Sequence, residues 1–122
     1  MMPPDVTVRM VEALAVKPSH AVLEIGTGSG FQTAILSSLA QRVHTVDRYK
    51  TLVNAASERL KALGRGNVTF DQADGSTVRQ GLYDRIVTDL AFEEQPRFLL
   101  DNLTVEGVVV APLGATGTEQ VV

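Results

Sequence analysis

Glycines recur at alternate positions directly after an apolar run, in the stretch VLEIGTGSGF of residues 22–31. Because Gly26, Gly28 and Gly30 carry no Cβ, the backbone there can take positive φ angles and a ligand can lie directly on the main chain. An acidic residue, Glu24, stands at the entrance to the glycines. The spacing predicts a ligand-binding turn between a strand and a helix, and the open alternative is a tight turn that binds nothing.

The residues after the glycines narrow the class of ligand. A dinucleotide-binding G-x-G-x-x-G motif needs a small residue where this chain has Phe31, and no Lys-Ser or Lys-Thr follows to make a phosphate-binding P-loop. The remaining pattern, E-x-G-x-G-x-G, resembles that of S-adenosylmethionine-dependent methyltransferases of the Rossmann-like class. In that class Glu24 would either anchor the methionine ammonium or order the turn.

Two further acidic residues follow the next two apolar runs. Asp47 ends VHTVD, and Asp74 precedes Gly75 in DQADG. Asp47 could accept both hydroxyls of a ribose, and Asp74 could accept an adenine amino group while Gly75 lets the ring approach. The structural alternatives are that Asp47 caps the helix that begins near Tyr49 and that Asp74 and Gly75 form an ordinary turn.

Composition excludes several other classes of function. The chain has 122 residues, the size of one domain, with 44% hydrophobic and 20% charged residues and a formal charge of −3, so nucleic acid is not an expected partner. With no cysteine and two separated histidines, His20 and His44, no metal site is expected, and each histidine is expected to be a surface or packed residue. We see neither a signal peptide nor an apolar run that could span a membrane, and therefore expect a cytoplasmic protein.

The elements that must position these residues alternate along the chain. Short β-rich runs between helical ones predict an α/β fold with a doubly wound, mostly parallel sheet of about five strands flanked by helices. Strands are predicted at 21–25, 43–46, 67–70, 84–88 and 107–110, the last closed by Pro112, and the tail TEQVV could begin a sixth. The strand at 21–25 is expected near the centre of the sheet, where its carboxyl end opens onto a ligand-binding crevice.

Helical patterns connect the strands. Helices are predicted from an Asp5 cap to before Pro18, and over 31–40, 49–63 and 92–103. The residues predicted to face the sheet are Ile35 and Leu39 in the second helix and Leu52, Ala56, Leu60 and Leu63 in the third.

Three stretches that cover nearly the whole chain resemble the protein-L-isoaspartate O-methyltransferase family: MVEALAVKPSHAVLEIGTGSGFQTAIL, VHTVDRYKTLVNAASERLKALGRGNVTFDQADG and YDRIVTDLAFEEQPRFLLDNLTVEGVVVAPLG. The resemblance implies a Rossmann-like methyltransferase sheet, S-adenosylmethionine as methyl donor, and methyl esterification of isoaspartyl carboxylates in protein repair. It also implies the cofactor-binding residues: Glu24, Gly26 and Gly28 at the methionine part, Asp47 at the ribose, Asp74 with Gly75 at the adenine, and Thr27 and Arg48 as further cofactor-binding residues.

Two departures from the family keep other functions open. Pro4 matches the proline of a family segment Thr-Ile-Ser-x-Pro, but Met2 stands in place of its serine. Asp89 follows the fourth strand, and facing the transferred methyl group it would repel a carboxylate acceptor by about 1 kcal/mol at roughly 4 Å in water. As a catalytic residue Asp89 would suit an amine or hydroxyl acceptor, and otherwise it would face solvent or cap the next helix.

The expected partners follow from these alternatives. They are an isoaspartyl protein or peptide, or a small-molecule acceptor for a methyltransferase of the same fold; a truncated module that binds cofactor without catalysis is the third possibility. The carboxyl-terminal strand pair of the family is expected to be missing or incomplete, and an unpaired sheet edge would allow a homo-oligomer.

Overall fold

The computed structural model describes residues 4–74, 81–88, 101–113 and 118–121. In these ranges one sheet has the strand order β3-β2-β1-β4-β5-β6. The elements, in chain order, are α1 Pro4–Leu14, β1 Ala21–Ile25, α2 Phe31–Leu39, β2 Arg42–Asp47, α3 Lys50–Ala62, β3 Val68–Gln72, β4 Tyr83–Thr88, β5 Leu103–Leu113 and β6 Thr118–Val121.

The sheet is the predicted doubly wound α/β arrangement. Strands β1 to β5 pair in parallel, and β6 pairs antiparallel with β5, so the tail does form a sixth strand. The prediction that the strand at 21–25 lies at the centre is confirmed, because β1 pairs with β2 on one side and β4 on the other. The carboxyl ends of β1 and β2 therefore meet at the same edge of the sheet.

Strand β1 is buried on both faces, as its mostly apolar sequence predicts. Alternate side chains enter two apolar clusters on opposite faces. One cluster joins α1 and α2 to the sheet and contains Met10, Val11, Leu14, Val22, Leu36, Val43, Val87 and Val110. The other contains Ala21, Leu23, Ile25, Val46, Tyr83, Ile86 and Val109. This double burial fixes the strand that leads into the glycine turn.

The predicted start of the first helix was wrong. Helix α1 begins at Pro4, so Asp5 lies in its first turn and is not the cap. Proline suits the first turn of a helix because its missing N–H has no intrahelical acceptor there.

The inward faces of α2 and α3 also differ from the predicted ones. Helix α2 buries Thr33, Leu36 and Ser37, and the predicted Ile35 packs against the core, whereas Leu39 is exposed. Its polar inward residues make hydrogen bonds that an apolar period does not reveal.

Helix α3 buries Val53 together with the predicted Ala56 and Leu60, while Leu52 and Leu63 are exposed. The buried stripe of α3 therefore keeps Ala56 and Leu60 and includes Val53 in place of Leu52 and Leu63.

Strand β5 is longer than predicted at both ends. The predicted helix at 92–103 was wrong at its end, because Leu103 is extended and pairs with Tyr83; residues 92–100 lie outside the described residues. Pro112 does not close β5, since pairing with β6 continues and places Pro112 opposite Glu119. The edge of β5 that the sequence left open is thus paired.

Within the described ranges, no helix combines the length and the apolar character that crossing a bilayer demands.

Candidate functional site

The turn after β1 requires its glycines for conformational reasons. Gly26, Gly28 and Gly30 have φ angles of +103°, +53° and +89°, which side chains disfavour. The Gly26 N–H donates to the Val46 carbonyl at 2.8 Å, and the Gly30 N–H donates to the Thr27 carbonyl at 3.0 Å. The turn is therefore tied to the tip of β2 and closed on itself before α2 begins.

The second and third glycines differ in what surrounds them. A Cβ on Gly30 would lie 3.1 Å from the Ala56 Cβ, so this glycine allows the turn to pack on α3. A Cβ on Gly28 would meet no heavy atom within 4 Å. Phe31, which ruled out a dinucleotide motif, is 51% exposed at the start of α2. The main chain at Gly28 is open to a ligand, whereas Gly30 serves packing.

Asp47 joins the tip of β2 to this turn. Its carboxylate accepts the Gly28 N–H through Oδ2 at 3.1 Å and the Tyr49 N–H through Oδ1 at 3.0 Å. The N-cap of α3 is Tyr49, so Asp47 forms an Asx turn before the helix and is not its cap. A carboxylate has about four acceptor positions, and these two bonds leave Asp47 capacity for further donors.

The tip of β3 lies beside the tip of β2. The Ala73 N–H donates to the Asp47 carbonyl at 3.0 Å, which places the exposed Asp74 next to the Asp47 strand end. Gln72 Nε2 donates to the carbonyl of the exposed Arg48 at 3.2 Å. Three predicted positions, the turn, Asp47 and Asp74, thus meet at one edge of the sheet.

Two predicted site residues, Gly75 and Asp89, lie outside the described residues, as does Met2. Their predicted roles stay predictions.

Glu24 is fully buried beneath the turn and is held by side chains of α2 and β2. It accepts hydrogen bonds from the Thr33 hydroxyl, from the Thr45 hydroxyl at 2.7 Å and from Gln32 Nε2 at 2.9 Å. Since the Thr45 proton points to Glu24, the Thr27 hydroxyl donates to Thr45 Oγ1 at 2.6 Å. The Thr27 side chain therefore faces the interior, and Glu24 orders the first turn of α2 against β1 and β2.

The side-chain oxygen of Gln32, Oε1, takes part in none of these hydrogen bonds. Its Nε2 must face Glu24, because a carboxylate accepts hydrogen bonds and an amide oxygen cannot donate. Its Oε1 is buried and has no hydrogen-bond partner within the described part of the chain. A buried acceptor without a donor costs free energy, so the folded chain leaves this oxygen of Gln32 unsatisfied.

The sequence reasoning missed Gln32, Thr33 and Thr45. A signal existed for Thr45, since a carboxylate in a buried strand needs donors and the parallel register sets Thr45 beside Glu24. Nothing in the sequence alone marks the side-chain direction of Gln32.

A second polar chain crosses the opposite face of the sheet. The Tyr83 hydroxyl lies 2.7 Å from His44 Nδ1, and His44 Nε2 lies 2.6 Å from Asp71 Oδ2. Burial raises the pKa of the Tyr83 phenol above its usual value, so the hydroxyl keeps its proton. Tyr83 and His44 are buried, and His44 is the packed histidine that was expected.

His20 lies at the other end of β1 from the glycine turn. Its Nδ1 accepts the Lys17 N–H at 3.0 Å. Partial burial and the nearby charges of Arg85 and Lys17 lower the pKa of His20 below 6.5, although Asp84 acts in the opposite direction. The surroundings of the imidazole therefore favour its neutral form.

Solved structures that share this fold include methyltransferases. A protein-L-isoaspartate O-methyltransferase superposes with a TM-score of 0.84 at 23% identity, covering 99% of this chain and 40% of that chain. A SAM-dependent methyltransferase from Thiobacillus denitrificans in complex with S-adenosyl-L-homocysteine superposes with a TM-score of 0.75 at 20% identity, covering 90% and 48%. The chain therefore has the Rossmann-like methyltransferase fold.

Sequence similarity gives the family. The model of the family Protein-L-isoaspartate(D-aspartate) O-methyltransferase matches residues 2–122, and the chain belongs to this family. The protein-L-isoaspartate O-methyltransferase of Rhodopseudomonas palustris is 47% identical over 113 residues, which are 91% of this chain and 53% of that protein. The chain spans about half the length of the curated relatives it matches.

Proposed function

We propose that this chain binds S-adenosylmethionine and acts in the methyl esterification of isoaspartyl carboxylates of proteins or peptides. The observation that supports cofactor binding is the open main chain at Gly28, whose N–H donates a hydrogen bond to Asp47. Family membership over residues 2–122 supports the isoaspartyl acceptor.

The residues present fit this cofactor. The lone pairs that remain on Asp47 accept the ribose hydroxyls, and Arg48 flanks them. Asp74, exposed beside the same strand end, accepts the adenine amino group, with Gly75 leaving room for the ring. The main chain at Gly26, Thr27 and Gly28 runs beneath the amino-acid part.

In the proposed reaction the main task of the chain is to align the methyl donor with the acceptor. S-adenosylmethionine supplies a methyl group on a positively charged sulfur. An isoaspartyl carboxylate, with a reference pKa of about 3.9, is ionised at neutral pH, so no general base is needed to activate it. The glycine turn and the two strand tips hold the donor in place, so that the acceptor oxygen, methyl carbon and sulfur can be brought into line.

The test is transfer of labelled methyl groups to a peptide with one isoaspartyl residue, beside the same peptide with normal aspartate. We expect base-labile label on the isoaspartyl peptide alone. Absence of label, or equal label on both peptides, contradicts the proposed activity. Calorimetry with S-adenosylhomocysteine separates the two parts of the proposal, because binding without transfer retains the cofactor and refutes the activity of this chain.

A further inference from the structure

Gln32 is the one side chain in the described part of the chain that leaves a buried polar atom without a partner, its Oε1. The amide cannot rotate to relieve this, since its Nε2 is committed to Glu24 at 2.9 Å. Donation to a carboxylate also polarises the amide and makes its oxygen a stronger acceptor. The first turn of α2 thus holds a preset acceptor beside the glycine turn.

The surroundings of this acceptor favour a cation. Glu24 lies within hydrogen-bond distance of the same amide, and two of its donors, Thr33 and Thr45, are neutral hydroxyls. A positively charged donor gains from both the amide oxygen and the nearby carboxylate, whereas a neutral hydroxyl gains mainly from the first.

The strand order indicates which part of the cofactor reaches this position. The proposed ribose and adenine contacts lie at the tips of β2 and β3, and β1 is the next strand inward. The amino-acid part must then extend over β1 toward the turn and α2. The cationic donor of the amino-acid part is its α-ammonium group, which has three N–H groups.

We propose that Gln32 contacts the cofactor and that its Oε1 accepts a hydrogen bond from the α-ammonium group of S-adenosylmethionine. This role rests on the proposed cofactor. Glu24 is then a positioning residue, which fixes the Gln32 amide and adds a favourable field.

The test compares two ligands that differ by one group: S-adenosylhomocysteine and its analogue with hydrogen in place of the α-amino group. Calorimetry gives the dissociation constants of the wild type and of Gln32→Met, which keeps the side-chain length and removes both polar atoms. We expect the wild type to prefer S-adenosylhomocysteine by about tenfold or more, the factor of one charged hydrogen bond. Gln32→Met should abolish most of this preference and change the affinity for the analogue much less.

Two control variants separate Gln32 from its neighbours. Thr33→Val removes a donor to Glu24 but leaves Oε1 in place, so the preference should persist. Gln41→Met makes the same substitution at an exposed glutamine and should change neither affinity. Thermal unfolding of each variant without ligand verifies that it is folded.

Several results overturn the inference. One is a Gln32→Met variant that still prefers S-adenosylhomocysteine over the analogue as strongly as the wild type does. Another is a Thr33→Val variant that loses this preference as fully as Gln32→Met does, because the effect would then arise at Glu24. The wild-type comparison requires no variant, and equal affinity for the two ligands also overturns it. If the wild type binds neither ligand, the proposal that S-adenosylmethionine is the cofactor is refuted. If it binds both and the Gln32→Met substitution does not change the preference, only the role of Gln32 is refuted.

Discussion

One methyl group at Gly28 should separate the binding role of the glycine turn from its structural role. Gly28→Ala adds a Cβ where the protein has no heavy atom within 4 Å, so the free chain has room for it. A ligand that lies on that main chain would leave no room for this Cβ. Gly64, after α3, is the matched control, since its φ is +74° and its Cβ would also meet nothing within 4 Å.

The backbone angles and the space around each glycine determine how much stability each substitution should cost. An L-residue in the left-handed region costs about 1–2 kcal/mol, offset by about 0.4–1 kcal/mol from the stiffer unfolded chain. Gly28→Ala and Gly64→Ala should therefore each lower the free energy of unfolding by about 1 kcal/mol. Gly30→Ala should lose about 1–3 kcal/mol more, the usual cost of overpacking, because its Cβ would lie 3.1 Å from the Ala56 Cβ.

Urea denaturation measures these losses, and calorimetry with S-adenosylhomocysteine measures binding. The overlap of the new methyl group with the ligand should cost about 1–3 kcal/mol, which weakens binding by about 5- to 150-fold in Gly28→Ala. Gly64→Ala should bind like the wild type. Wild-type affinity in Gly28→Ala would refute the reasoning, because the ligand would then not lie on this turn.

Three further changes test other parts of the structure. Asp47→Ala should weaken binding of S-adenosylhomocysteine by about 1–3 kcal/mol in calorimetry, since ribose hydroxyls lose a charged acceptor; unchanged affinity would contradict that role. The free energy of unfolding should fall as pH drops through 6.5, because the unfolded chain protonates His20 before the folded chain does; urea titrations of His20→Gln should lack this component. Tyr83→Phe should lower the free energy of unfolding by about 1–2 kcal/mol through the lost bond to His44, whereas a large loss of cofactor affinity would contradict its placement away from the site.

The centre of the fold could be predicted because its signals are local. A five-residue run that is apolar except for Glu24 reads as a strand buried on both faces, and the structure buries every residue of β1. The meeting of the glycine turn with Asp47 followed from the same logic, since parallel neighbouring strands end at one edge. Residue types and strand order were sufficient for these features.

Features that depend on pairing and on side-chain direction escaped prediction. Gly107 and Pro112 suggested a short last strand, yet partners on both sides extend β5 from Leu103 to Leu113. The inward position of Thr33 became intelligible only with Glu24 buried beneath it. The unpartnered oxygen of Gln32 exists because Glu24 fixes the other end of the same amide, which is a property of the folded arrangement.

A crystal structure with bound S-adenosylhomocysteine tests the central claim most directly. We expect the ligand to lie on the main chain at Gly28, with the ribose hydroxyls on the Asp47 carboxylate and the adenine beside Asp74. A ligand bound at another edge of the sheet, or a turn that stays closed to it at saturating concentration, would contradict the account.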